Sequence, residues 1–386
     1  MRFRPELADV PESPLVVLAT EAERTSGVIK LCYGESDMPT PEFICRAAYE
    51  ASRAGHTFYT HTAGCPELRE AIAAQVFALH GVQCRPSEVI CTVGGSMAIY
   101  VAIRAFVGAG DNAVIISPAY AIYANGVTMA GGRSRAVPLA REGNRFRLDL
   151  DRVRSAIDGD TRMLIVNSPS NPTGWMITVE EQRALCALAE AHDLIILSDE
   201  VYERLAFDEL TAPSLARVAE TPERLVVVNS FSKTYNMTGW RLGWAQASEP
   251  TIHLMYSAAE FMTSNPASMV QQAGIVALRD GEPYVRDLRR HYAARREQVR
   301  SALGAIPGVT LPLPKGAFYA FPKIEGLADS SALAAAMLRE AGVALAPGAA
   351  FGAAGEGHLR LCFAASEGVL TQALARVRGF LEARSG

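Results

Sequence analysis

Short apolar runs rich in β-branched residues recur along the chain with helix-length segments between them, and no other feature narrows the fold so far. EVICTV (88–93) precedes a helical pattern over 95–107, NAVIIS (112–117) precedes one over about 119–130, and RMLIVN (162–167) precedes one over 178–192. LIILSDE (194–200) and RLVVVNS (224–230) continue the series. Runs that are apolar on both faces need cover on both sides, which a mainly parallel sheet between two layers of helices supplies. The expectation is an α/β protein with a three-layer α/β/α large domain over residues 46–280.

The pattern changes from about residue 281. A long charged helix (EPYVRDLRRHYAARREQVRSAL) leads into a Gly/Pro-marked stretch, GVTLPLPKGAFYAF, followed by a helix, the strand-like HLRLCFA and a last helix. This tail reads as a smaller α+β domain, residues 281–386, joined by residues 1–45. The first 40 residues carry little helix signal and read as an arm.

Charge and cysteine content narrow the function. With 37 basic and 41 acidic residues in 386, the net charge of −4 gives no reason to expect nucleic acid or an anionic membrane as partner, which leaves small molecules. The seven cysteines are scattered, with no C-x-x-C pair, so neither a disulfide framework nor a zinc or other metal site is expected. The start, MRFRPELADVPESPLVV, is broken by prolines and acids before any signal-length apolar run, and no run approaches the roughly 18 residues of a membrane span. A cytoplasmic protein is expected.

Ligands of open α/β sheets bind beyond the carboxyl ends of the strands, so the polar residues there are the candidates for chemistry. Gly94-Gly95 precedes a helix starting near Ser96, a turn whose free amides suit an anion, although such turns are often only turns. Asn167, Ser168, Asn171 and Gly174 follow a strand in a proline-rich loop that could equally be chosen for its turn geometry. Asp199 and Glu200 close an apolar strand; a carboxylate so placed needs a partner, or Asp199 simply caps the next helix. Ser230, Ser232 and Lys233 follow another strand, with Arg241 eight residues beyond the lysine. A desolvated lysine amine is a nucleophile, and hydroxyls with an arginine beside it suit a phosphate.

SFSKTYNMTGWRLGW, with NSPSNPTG and SDEVY upstream, resembles the class I/II aminotransferases of pyridoxal 5′-phosphate fold type I, within them the bacterial aspartate-aminotransferase-like subgroup. The likeness continues through GESDMPTP (34–41), YTHTAGCPELREAI (59–72), GAFYAF (316–321), APGAAFG (346–352) and HLRLCFA (358–364), so it spans almost the whole chain in order. The resemblance implies pyridoxal 5′-phosphate as cofactor and ping-pong transfer of an amino group from an L-amino acid to a 2-oxo acid. It implies that Lys233 forms the aldimine with the cofactor and moves the α-proton, that Asp199 pairs with the pyridine nitrogen, and that Asn171 and Tyr202 meet the ring's phenolic oxygen. By the same resemblance Tyr120 would stack on the ring; the phosphate would be held by the amides of Gly95, Ser96 and Met97, by Ser230, Ser232 and Arg241, and by Tyr59 from the partner of a homodimer. It further implies that Arg360 clamps the substrate α-carboxylate, with Gly34 and Asn171 beside the substrate. By alternation alone, Arg360 falls on the polar face of its strand.

Two departures from the subgroup bear on the substrate. Aspartate-preferring relatives carry a lysine after the paired glycines, where this chain has Ser96, and a tryptophan where it has Tyr120. With Tyr33 beside Gly34, a broad or non-acidic amino donor is expected. The same scaffold also serves carbon–sulfur β-lyases, an alternative the motifs leave open. A cofactor-bound transcriptional sensor would need a basic DNA-binding extension, which the sequence lacks.

Overall fold

The structure, a computed structural model, describes residues 10–385; the first nine residues of the arm lie outside it. Seven strands form the central sheet, numbered β1 (Val89–Thr92), β2 (Asn112–Ser117), β3 (Arg133–Pro138), β4 (Thr161–Asn167), β5 (Ile195–Asp199), β6 (Leu225–Ser230) and β7 (Gly243–Gln246). Their spatial order is β1-β7-β6-β5-β4-β2-β3. All neighbours are parallel except β7, which runs antiparallel to both β1 and β6. The expected α/β sheet is present, and β2 occupies the very residues of NAVIIS.

Helices cover both faces because the strands are apolar on both. Ile90, Ile115, Ile165, Leu197 and Val228 pack on one side with the helices Gly95–Phe106 and Glu249–Thr263. Val114, Leu164, Val166, Ile196 and Val227 pack on the other with Leu185 and Leu188 of the helix Val179–Ala191. The latter helix begins with a reciprocal cap, in which Thr178 Oγ1 accepts from the Glu181 amide and Glu181 from the Thr178 amide.

A second core gathers residues from both ends of the chain. Tyr319–Ala320, Leu359–Cys362 and Ala346–Pro347 form a three-stranded antiparallel sheet, and Ile29–Lys30 pairs in parallel with Val343–Ala344. The helices Glu282–Gly304, Ser330–Ala341 and Glu367–Ser385 pack around them. Among the described residues no helix is long and apolar enough to cross a membrane.

Three expectations are corrected. The arm contains an 11-residue helix, Pro14–Arg24, with Pro at its first turn and Leu18, Ala19 and Ala22 buried in the second core. Asp199 does not cap a helix: its Oδ1 accepts from the Val201 amide at 3.2 Å, and a 3₁₀ turn begins only at Glu203. Arg360 is not on a polar face. All four residues of its strand are buried, because the strand is central in its small sheet and covered on both sides.

The register of the central sheet sets the site. Asn167 stands opposite Asp199, Asp199 opposite Val228, and Ser230 opposite Gly243, so three strand ends present polar residues along one edge.

Candidate active site

A cavity of about 350 Å³ opens at this edge, between the carboxyl ends of β4, β5 and β6 and the small sheet. Of the residues singled out in the sequence, Gly34, Gly95, Ser96, Tyr120, Asn171, Asp199, Tyr202, Ser230, Ser232, Lys233, Arg241 and Arg360 line it. Met97 does not: its amide donates to the Gly94 carbonyl at 3.2 Å and its sulfur accepts from Thr263 Oγ1 at 3.3 Å within the core. Tyr59 is also outside the cavity and 89% exposed. Glu200 turns away, accepting from Ser198 Oγ at 2.7 Å and from the Leu215 amide at 3.0 Å, and burial raises its carboxyl to about 7.

One end of the cavity is built for an anion. Gly94 ends the turn after β1 with φ +77°, and a Cβ there would collide with the Arg241 guanidinium. The helix Gly95–Phe106 therefore begins with amides that have no helical partner. Arg241 itself has φ +55°, strained for a side-chain-bearing residue, and Nη1 donates to the Thr238 carbonyl at 2.7 Å. Ser230 caps the short helix Phe231–Thr234, accepting from the Ser232 amide at 3.1 Å, with the two hydroxyls 2.9 Å apart.

That cap presents Lys233. Its Nζ donates to the Gly34 carbonyl at 2.6 Å, and burial, with Arg360 and Arg241 nearby, lowers its pKa to about 8. A neutral amine is thus reachable near physiological pH, as a nucleophile or proton acceptor requires. Gly34 is a glycine for steric reasons, since the Tyr319 hydroxyl lies where a Cβ would be.

Deeper in the cavity, Asp199 is buried against the sheet. Its Oδ2 accepts from the Tyr123 hydroxyl at 2.6 Å, and Asn167 Nδ2 donates to its backbone carbonyl at 3.0 Å. Burial raises the carboxyl to about 6, while the Tyr123 and Val201 bonds and the Lys233 charge oppose the rise. A cationic guest at this carboxylate would hold it ionised.

Arg360 is 2% exposed and pairs with no acidic side chain among the described residues. Nη1 donates to Asn171 Oδ1 at 3.0 Å and Nη2 to the Cys32 carbonyl, the guanidinium lies over the rings of Tyr319 and Phe351, and Nε has no partner. A buried cation in this condition is stabilised by an incoming carboxylate. Between it and Lys233 the hydroxyls of Tyr202 and Tyr319 meet at 2.7 Å, joining the end of β5 to the small sheet.

Tyr123 and Tyr319 are the polar lining residues that the sequence reading passed over, besides the apolar Leu15, Ile99 and Val201. Tyr319 lies inside GAFYAF, a stretch that could have been searched for a polar tip; Tyr123 has no local signal. The arrangement fits an elongated guest with a phosphate at the Arg241 end, a basic ring nitrogen at Asp199 and a carbonyl carbon at Lys233. It also fits a second guest bearing a carboxylate for Arg360.

Comparison with known proteins agrees. Residues 26–377 match the family model described as aminotransferase class I and II. The chain is 37% identical to the aspartate aminotransferase of Pyrococcus horikoshii, over 97% of this chain and 95% of that one. It is equally 37% identical to aromatic-amino-acid aminotransferase 2 of Thermococcus litoralis, over 99% of each. The solved structure of the Thermus thermophilus aspartate aminotransferase with maleate superposes with a TM-score of 0.92 at 37% identity, covering 99% of this chain and all of the other. With the fold type, the cavity and nearly the full length in agreement, the chain belongs to the class I and II aminotransferases.

Proposed function

We propose that Lys233 is the residue that attaches the cofactor and moves the substrate proton in this pyridoxal 5′-phosphate-dependent aminotransferase, which exchanges an amino group between an amino acid and a 2-oxo acid. The observation that carries this reading is the Lys233 amine, half-buried, bound to the Gly34 carbonyl, lowered to about 8 by desolvation and within one cavity with Asp199 and Arg360. When bound, the cofactor supplies an electron sink for the pair left as the α-proton departs.

The residues divide that work. Arg241, Ser230, Ser232 and the amides of Gly95 and Ser96 would hold the phosphate. Asp199 would keep the ring nitrogen protonated, Asn171 and Tyr202 would donate to the phenolic oxygen, and Tyr120 would cover the ring. Arg360 and Asn171 bind the α-carboxylate and so present the α-hydrogen to Lys233, with Gly34 leaving room beside it. Lys233 Nζ accepts that proton and returns it in each half of a ping-pong cycle.

Residues 46–280 are proposed as the cofactor-binding domain, and 1–45 with 281–386 as the smaller domain that brings Arg360 to it. A homodimer is proposed, with Tyr59 reaching the phosphate of the partner subunit. It is supported by Tyr59 at 89% and Phe261 at 91% exposure on a surface where Thr62 Oγ1 donates to Glu260. Seven unpaired cysteines support a reducing compartment, the cytoplasm.

Borohydride reduction of the holoenzyme followed by peptide mass spectrometry is the test. A stable cofactor adduct is expected on the Lys233 peptide, together with donor-driven bleaching of the visible band that a 2-oxo acid restores. An adduct elsewhere, or pyruvate and ammonia from β-substituted donors without an acceptor, would refute the reading.

A further inference from the structure

The backbone at 32–34 runs between the two cations that handle the substrate. Arg360 Nη2 binds the Cys32 carbonyl and Lys233 Nζ binds the Gly34 carbonyl, so Tyr33 stands between the carboxylate end and the proton-transfer end of the site. A substrate whose α-carboxylate lies on Arg360 and whose α-carbon faces Lys233 has its side chain beside this residue. Tyr33 lines the cavity together with Leu15 of the helix Pro14–Arg24. From the same helix Glu23 accepts the hydrogen bond of the Tyr33 hydroxyl. A phenol has one proton to give, and this one is committed to a carboxylate.

The remaining charges point the same way. Among the described residues the cations lining the cavity are Lys233, Arg241 and Arg360. Arg241 stands over the Gly94 turn at the phosphate end, and the other two are engaged by the α-amino acid core. Glu35, next to Gly34, accepts from Thr238 Oγ1 and adds a second negative charge near Tyr33. A side-chain carboxylate at this wall would meet leucine methyls and a hydroxyl whose proton is committed to Glu23, with no further cation of the described residues to pair with it. An apolar side chain would meet a leucine and an aromatic ring.

We infer that this enzyme selects amino donors with uncharged, apolar side chains and rejects dicarboxylic ones, and that Glu23 enforces the choice as a positioning residue by taking the Tyr33 proton. The inference rests on the aminotransferase reading above and names the substrate class of that same site.

The test uses the holoenzyme and measures single-turnover half-reactions with L-phenylalanine and L-aspartate. Dissociation constants of the unreactive acids 3-phenylpropionate and succinate are measured by calorimetry. The wild type is expected to favour phenylalanine by about tenfold or more in specificity constant and to bind 3-phenylpropionate more tightly than succinate. In Glu23→Leu, which has no acceptor, both ratios should fall by about threefold or more, mainly through the KM for aspartate, because the Tyr33 hydroxyl is released to donate. The shift should be absent in Glu23→Gln, which retains an acceptor oxygen, and in Glu23→Leu/Tyr33→Phe, which has no hydroxyl to release. Aspartate ahead of phenylalanine in the wild type, or a Glu23→Leu effect equal for both donors, would overturn the inference alone. Conversion with no amino donor at all would overturn the aminotransferase reading as well.

Discussion

Replacing Tyr123 by Phe tests how the buried Asp199 is kept in its working state. The substitution deletes one hydroxyl that donates to Asp199 Oδ2 at 2.6 Å and preserves the ring that fills the core. A hydrogen bond to a charged group contributes about 1.5–3 kcal/mol, and each pH unit corresponds to about 1.4 kcal/mol. The Asp199 carboxyl, already raised to about 6 by burial, should therefore move up by a further 1–2 units or so in the cofactor-free protein. At neutral pH the ionised fraction falls from about nine-tenths to between about a half and a tenth. Only the ionised form pairs with a cationic ring nitrogen, so cofactor affinity should fall about two- to tenfold at pH 7 and recover by about pH 9. For folding, an acid raised in the native state binds its proton more tightly there than in the unfolded chain. Stability is thus lost as pH rises through the native value, and the variant's deficit should be largest at alkaline pH. Infrared titration of the Asp199 carboxyl, with cofactor binding followed across the same pH range, reads both effects. An unmoved titration midpoint, or an affinity loss independent of pH, would refute the reasoning.

Three further outcomes follow from the same geometry. The rate at which the cofactor-free protein captures pyridoxal phosphate should rise with pH and level off above a midpoint of about 8, the Lys233 value; a midpoint near that of an ordinary lysine in stopped-flow absorbance would contradict it. Arg360→Met should raise the KM for amino donors about a hundredfold or more while leaving the melting temperature equal or higher, since it removes a buried cation that has no acidic partner. Gly94→Ala should cost about 1–3 kcal/mol by urea denaturation and weaken cofactor binding, because the position has φ +77° and its Cβ would displace Arg241.

What the sequence disclosed was decided by the range of the interactions concerned. β2, β4, β5 and β6 were legible because burial on both faces is written locally, as consecutive apolar residues. β7, only GWAQ, and the edge strand β3, RSRAVP, carry no such run and are held by their neighbours. The helix Pro14–Arg24 was missed because Val16 and Val17 are β-branched and exposed, so the signal at its start resembles neither a strand nor an amphipathic helix. Most residues of the site motifs line one cavity. Tyr123 and Tyr319 line it too and were not legible, since each is tied to a partner 76 or 117 residues away. Arg360 was located but set on the wrong face, because alternation describes a half-buried strand and this one is covered on both sides.

The alignment of Asn167, Asp199 and Ser230 at one sheet edge depends on main-chain pairing, which any residue but proline can supply. Side chains elsewhere on these strands need only remain apolar and of similar size, so substitutions can accumulate in the layers while the three polar strand ends stay fixed relative to one another. A one-residue slip, by contrast, would turn all of a strand's side chains to its other face at once. Sequence drift is therefore tolerated and insertions within the strands are not, which accounts for a chain differing at nearly two positions in three from the Thermus enzyme yet superposing on it with a TM-score of 0.92. In this architecture the spacing along the backbone is inherited more strictly than the residues that fill it.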